Sequence, residues 1–108
     1  MDHDILTLDW NTQTLLVLSR QQVKEALDWL RPDHPFDPGG HLRRHYGCGE
    51  ADLGYVIGII ETRLDRELGI WVNLRRALDI AACLDGDANA LTARLHGVLV
   101  RHFQLGRA

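Results

Sequence analysis

EADLGYVIGIIETRLDREL, residues 50–68, is the run whose apolar residues recur most clearly at helical spacing. Leu53, Val56, Ile57, Ile60, Leu64 and Leu68 lie three and four positions apart, so at 3.6 residues per turn they share one face. Glu50 and Asp52 put negative charge in the first turn, where unpaired backbone N–H groups favour it, and Gly69 ends the run. Tyr55 and Ile59 widen the apolar arc. Gly54 and Gly58, four apart, leave room for another backbone to come close. The spacing predicts a central helix packed on more than one side.

Outward from this run, Trp71, Leu74, Leu78, Ala81 and Leu84 form a second stripe, which predicts a helix ending near Gly86. Asp87 then caps a last helix carrying Leu91, Leu95, Val98, Leu99 and His102. On the other side, Ser19 and Gln22 match a capping box, and Val23, Ala26, Leu27 and Leu30 predict a helix over 20–31 that Pro32 stops. RPDHPFDPGG, residues 31–40, holds all three prolines and is irregular. Asp37 and Pro38 then look like the start of a short helix ending at Gly47, after which the chain turns into residue 50. ILTLDW (5–10) and TLLVL (14–18), separated by polar Asn11, Thr12 and Gln13, predict a β-hairpin or an extended segment. The expected fold is mainly α. It is a single domain over 1–108, a compact bundle of about four helices (19–108) behind a short N-terminal hairpin or extended segment (1–18).

Composition bounds the function. With 108 residues, 45% apolar and 25% charged, there is material for one modest core. Burial against a second copy, as a homodimer, or against another protein would therefore add usefully to stability. A net charge of −3 disfavours nucleic acid, whose phosphates call for a basic excess. Cys48 and Cys83 are expected to be reduced, since Cys83 sits in an apolar run. The opening MDHDILTLDW carries acids where a secretory signal carries positive charge, and no apolar run approaches a membrane span. The expected protein is soluble and cytoplasmic, with no membrane role.

GGHLRRHYGCG, residues 39–49, concentrates the functional side chains. His41, His45 and Cys48 fall at i, i+4 and i+7, and imidazole with thiolate suits zinc. Gly47 and Gly49 break that face, and a fourth ligand would have to come from His34, Asp37 or a distant residue, so zinc is the alternative and no cofactor the first expectation. A phosphate cradle above the helix at residue 50 is opposed by Glu50 and Asp52. The pairs Arg43/Arg44, Arg63/Arg66 and Arg75/Arg76 invite nucleic-acid binding, but Glu61, Asp65, Glu67 and Asp79 interleave with them, as on solvated, mutually paired helix faces. No nucleophile elbow, HExxH or di-iron pattern is present, and catalysis would need distant residues such as His45, Glu61 and His96 to converge.

Recognition of another protein remains. Trp29 lies off the stripe of its helix and Trp71 stands near Arg75, and tryptophan with arginine is the usual composition of interface hot spots. Arg43, Arg44 and His45 form a second surface beside the turn. The leading expectation is a small bacterial-type interaction protein, an adaptor, inhibitor, immunity protein or accessory factor that binds without catalysis through Trp29, Arg43, Arg44, His45, Trp71 and Arg75. The alternative is a metal- or nucleic-acid-responsive regulator using His41, His45 and Cys48 or the arginine pairs.

Overall fold

The computed structural model describes residues 10–103, and among these it is mainly helical, with five helices and no strand. They are α1 (Thr12–Leu30), α2 (Glu50–Leu68), α3 (Leu74–Ala77), α4 (Ile80–Leu84) and α5 (Ala88–His102).

The N-terminal expectation needs correction. TLLVL, expected as the second arm of a hairpin, is helical; the first arm, up to Trp10, lies outside the described residues. A five-residue apolar run fits either structure, and here the local cap decides it. The Asn11 carboxamide oxygen accepts from the Thr14 N–H at 2.9 Å, and the Thr14 hydroxyl accepts from the Asn11 N–H at 2.9 Å, a reciprocal capping box eight positions ahead of the expected one. Leu15, Leu18, Gln22, Val23, Ala26 and Leu27 then share one buried face without interruption at residue 19. The Ser19 hydroxyl donates to the Leu15 carbonyl at 2.7 Å, satisfied inside the helix and not as its cap. The division expected at 18/19 therefore falls within α1.

Helix α2 matches the expectation at both ends. The Asp52 carboxylate accepts from the Gly49 N–H at 2.9 Å, and Gly69 adopts φ 66°, a left-handed conformation that only glycine takes without strain, with its N–H on the Asp65 carbonyl. Leu53, Val56, Ile57, Ile60 and Leu64 are buried, each worth about 1.5–3 kcal/mol relative to exposure. Leu68, the last residue of the expected stripe, projects past the core and is 41% exposed. α2 packs against α1, α3 and α4, while α1 makes its most extensive contact with α5.

The single helix expected over 71–84 is two short ones. Leu78 is extended (φ −107°, ψ 133°), and the Asp79 carboxylate accepts from the Ala82 N–H at 3.1 Å, starting a new helix where an apolar stripe implied continuation. Aspartate favours a cap over a helix interior because its short side chain reaches nearby backbone donors. Leu74, Leu78, Cys83 and Leu84 still reach the core, but Trp71 and Ala81 do not.

The short helix expected between Asp37 and Gly47 is instead a series of turns tied to its neighbours. The Pro38 and Gly40 carbonyls accept from the Asn89 and Ala88 N–H groups, and Asp87 accepts from Ala90 at 2.7 Å, so the first donors of α5 are all occupied. Gly40 has no room for a side chain: a Cβ there would lie 2.6 Å from the His45 ring and 2.8 Å from Tyr46. Arg31, at the end of α1, donates through Nε to the Tyr46 carbonyl at 3.0 Å and reaches Asp52 of α2 at 3.6 Å. The segment thus locks α1, α2 and α5 together around buried Leu42 and Tyr46.

Candidate functional site

The face of α2 turned away from Leu53, Ile57 and Leu64 forms the floor of an open groove of about 620 Å³. Tyr55, Gly58, Ile59 and Thr62 line this floor; Trp29, near the end of α1, stands on one side and Arg75 of α3 on the other. A second hollow of about 490 Å³ shares Glu61 and Thr62 with the first and extends the surface to Asp65, Arg66, Trp71 and Val72. Trp29 is 64% exposed, Trp71 72% and Tyr55 52%. Three large aromatic side chains, contributed by α1, α2 and the α2–α3 connection, therefore border one continuous surface.

The groove's far wall is held by Glu61. Its Oε2 accepts from the backbone N–H of Leu74 at 2.6 Å and of Arg75 at 3.4 Å, fixing the start of α3 against α2. Arg75 then lies back across α2: Nη2 donates to the Gly54 carbonyl at 3.4 Å, and a Cβ on Gly58 would come within 2.8 Å of Nη2. The Gly54/Gly58 pair thus receives a guanidinium where the sequence implied another backbone.

Charge in the groove is unevenly matched. Arg63 forms an ion pair with Glu25 of α1 and a second with Glu67 at 3.7 Å. Burial pushes the Glu25 carboxyl up, but hydrogen bonds from Arg63 and Gln21, with the Arg63 and Lys24 charges, outweigh it and hold the carboxyl below the usual glutamate range. For Arg75, no carboxylate among the described residues lies within 4.0 Å of the guanidinium.

Of the six expected interaction residues, Trp29, Trp71 and Arg75 come together on this surface, while Arg43, Arg44 and His45 lie on the separate 41–46 turn and line neither hollow. Arg43 is 3.8 Å from Asp85 across solvent, and His45 is 3.9 Å from Asp37, its ring edge-on to His34 and Tyr46. Tyr55, Ile59, Glu61, Thr62 and Arg63 join them on this surface although the sequence does not mark them as protein-contact residues. Tyr55 and Ile59 carry the one legible signal, two large apolar side chains four apart and off the core stripe.

His41, His45 and Cys48 do not assemble as ligands. His41 Nδ1 accepts from the Arg43 and Arg44 N–H groups at 3.2 and 3.1 Å, which places the ring proton on Nε2, directed at the Asp85 carbonyl 3.1 Å away. Cys48 faces the core, where burial pushes its thiol up, as it does for Cys83; both are free. Gly47, at φ 65°, turns the chain between the imidazoles and the thiol. Among the described residues no group of three or more His, Cys, Asp or Glu side chains is placed to hold a metal ion. His45, Glu61 and His96 are likewise engaged apart, His96 with the Thr12 carbonyl at 2.8 Å.

No described helix is long and apolar enough to cross a membrane. Comparison with protein-family models, with curated proteins and with solved structures gives no match to the chain.

Proposed function

We propose that this chain is a cytoplasmic protein-interaction module of bacterial type, an adaptor, inhibitor, immunity protein or accessory factor, that acts by surface binding through the groove over α2. One observation carries the reading: Trp29, Tyr55 and Trp71, three of the seven aromatic residues, are more than half exposed and border one surface. Leaving a tryptophan in water forgoes roughly 2 kcal/mol that burial against another protein recovers. A lone exposed tryptophan is unremarkable in a small domain; two on adjoining hollows of one surface, with a tyrosine in the floor and arginines among the lining, match the composition of an interface centre.

The test is recovery of a partner from the native host on the tagged full chain. Trp29→Ala with Trp71→Ala is expected to abolish recovery, each truncation weakening binding by on the order of 2 kcal/mol, about 30-fold in Kd. Arg43→Glu with Arg44→Glu is expected to leave it intact. Undiminished recovery on the double tryptophan variant would overturn the assignment, and loss on the double arginine variant alone would move the site to the 41–46 turn.

A further inference from the structure

We infer that the groove takes an acidic amphipathic helix of another protein, with a carboxylate of that helix seated on Arg75; this rests on the α2 surface being a docking face. The backbone of Arg75 is fixed by Glu61, and its guanidinium lies over Gly58, donating one hydrogen bond at 3.4 Å to the Gly54 carbonyl. The remaining N–H donors of the fork have no partner among the described residues. Of the cations around the groove, Lys24 sits 2.8 Å from Asp28, Arg31 lies 3.6 Å from Asp52, and Arg63 is engaged by Glu25 and Glu67, whereas Arg66 of the adjoining hollow and the neighbouring Arg76, like Arg75, have no carboxylate within 4.0 Å among the described residues. Glu61, the nearest acid of the groove wall, is already occupied by the two N–H groups that start α3. In a chain of net charge −3, the groove therefore presents a positioned, unneutralised guanidinium beside an apolar floor.

A planar fork in that setting recognises a carboxylate bidentately, and does so more strongly once the pair is shielded from water by the rings of Trp29 and Tyr55. The shape selects a helix. α2 forms the floor, Trp29 one side, and Arg75 with the 71–73 segment the other, so the opening accepts one convex element whose large apolar residues meet Ile59 and Tyr55.

The experiment pans the full chain with a phage-displayed library of amphipathic helical peptides that have a fixed leucine stripe and all other positions randomised. Selected peptides are expected to carry Asp or Glu within one turn of a leucine and to bind Arg75→Glu about tenfold or more weakly. Changing that acid to lysine should restore binding to Arg75→Glu. Gly58→Ala, which displaces the guanidinium without altering charge, should weaken binding severalfold, and thermal melts of each variant verify folding. Selected helices that need Trp29 but bind Arg75→Glu as well as wild type would overturn the acidic partner and leave the docking face standing. Failure to select any helix would overturn the helical partner and leave the docking face to partner recovery on the tryptophan variants, whereas selected helices indifferent to Trp29→Ala and Trp71→Ala would overturn both. A dimer in sedimentation that Trp29→Ala dissociates, or an oligothymidine that binds wild type and not Arg75→Glu, would overturn the inference in favour of a second copy or a nucleic acid.

Discussion

Gly54 and Gly58 offer a quantitative test of how α2 meets its surroundings. Both lie inside a helix, where alanine is favoured over glycine by about 1 kcal/mol because less backbone entropy is lost on folding. At Gly54 an added Cβ meets nothing within 4 Å, so Gly54→Ala should gain close to that full amount. For a domain of this size that is a rise of about 4–8 °C in Tm. At Gly58 the Cβ would stand 2.8 Å from Arg75 Nη2, the far end of a flexible side chain, which can swing away. Doing so breaks the 3.4 Å bond to the Gly54 carbonyl, an exposed contact worth about 0.5 kcal/mol, so Gly58→Ala should gain only about half as much. In an Arg75→Ala background the obstruction is gone, and Gly58→Ala should recover the full increment, a coupling of about 0.5 kcal/mol between positions 58 and 75. Urea unfolding midpoints at constant m-value measure all four states of this cycle. Destabilisation by more than about 1 kcal/mol at either glycine, or no coupling with Arg75, would refute the placement of the guanidinium and restore close backbone packing on α2.

Three further outcomes are expected. Asp87→Ala removes the 2.7 Å cap on Ala90 and should lower stability by about 1 kcal/mol, read from the urea midpoint; an unchanged midpoint would mean that the Pro38 and Gly40 carbonyls alone hold the start of α5. Glu25, whose carboxyl is held below its ordinary value in the folded chain, contributes stability above the usual glutamate range that disappears as pH falls through the lowered value, so the gap between wild type and Glu25→Gln should close on acidification; a gap that widens instead would reverse the sign of the Arg63 interaction. Cys48 and Cys83, buried and with raised thiol pKa, should react with iodoacetamide at neutral pH far more slowly in the native chain than in urea, and rapid native labelling of either would show that its side chain leaves the core.

What could be read from sequence follows the range of the forces involved. The ends of α2 and the start of α5 were legible at Gly69 and Asp87, because a left-handed glycine and a carboxylate cap act within four residues of their own positions. The same locality misled at Ser19, Asp37 and Asp79. Each can cap a helix or satisfy itself otherwise, and the choice depended on burial of the Leu15–Leu27 face, on the Asp37 N–H bonding to the Tyr46 hydroxyl at 2.8 Å, and on Leu78 being drawn extended while still buried. The His41/His45/Cys48 spacing lost its meaning for a similar reason. Intervals of four and seven align side chains only where the backbone is helical, and this backbone turns.

By itself, then, the sequence determined a helical chain, the position of its strongest helix and most of its core, since apolar period and caps are properties of neighbouring residues. Only the tertiary structure decided that Trp29, Tyr55 and Trp71 border one surface, and that Arg75 lies across Gly58 with no carboxylate opposite among the described residues. Those juxtapositions join residues 16 to 42 positions apart (Trp71 and Tyr55 at the near end, Trp71 and Trp29 at the far end). They depend on how α1 and α3 pack against α2, which no local pattern of apolar and polar residues records.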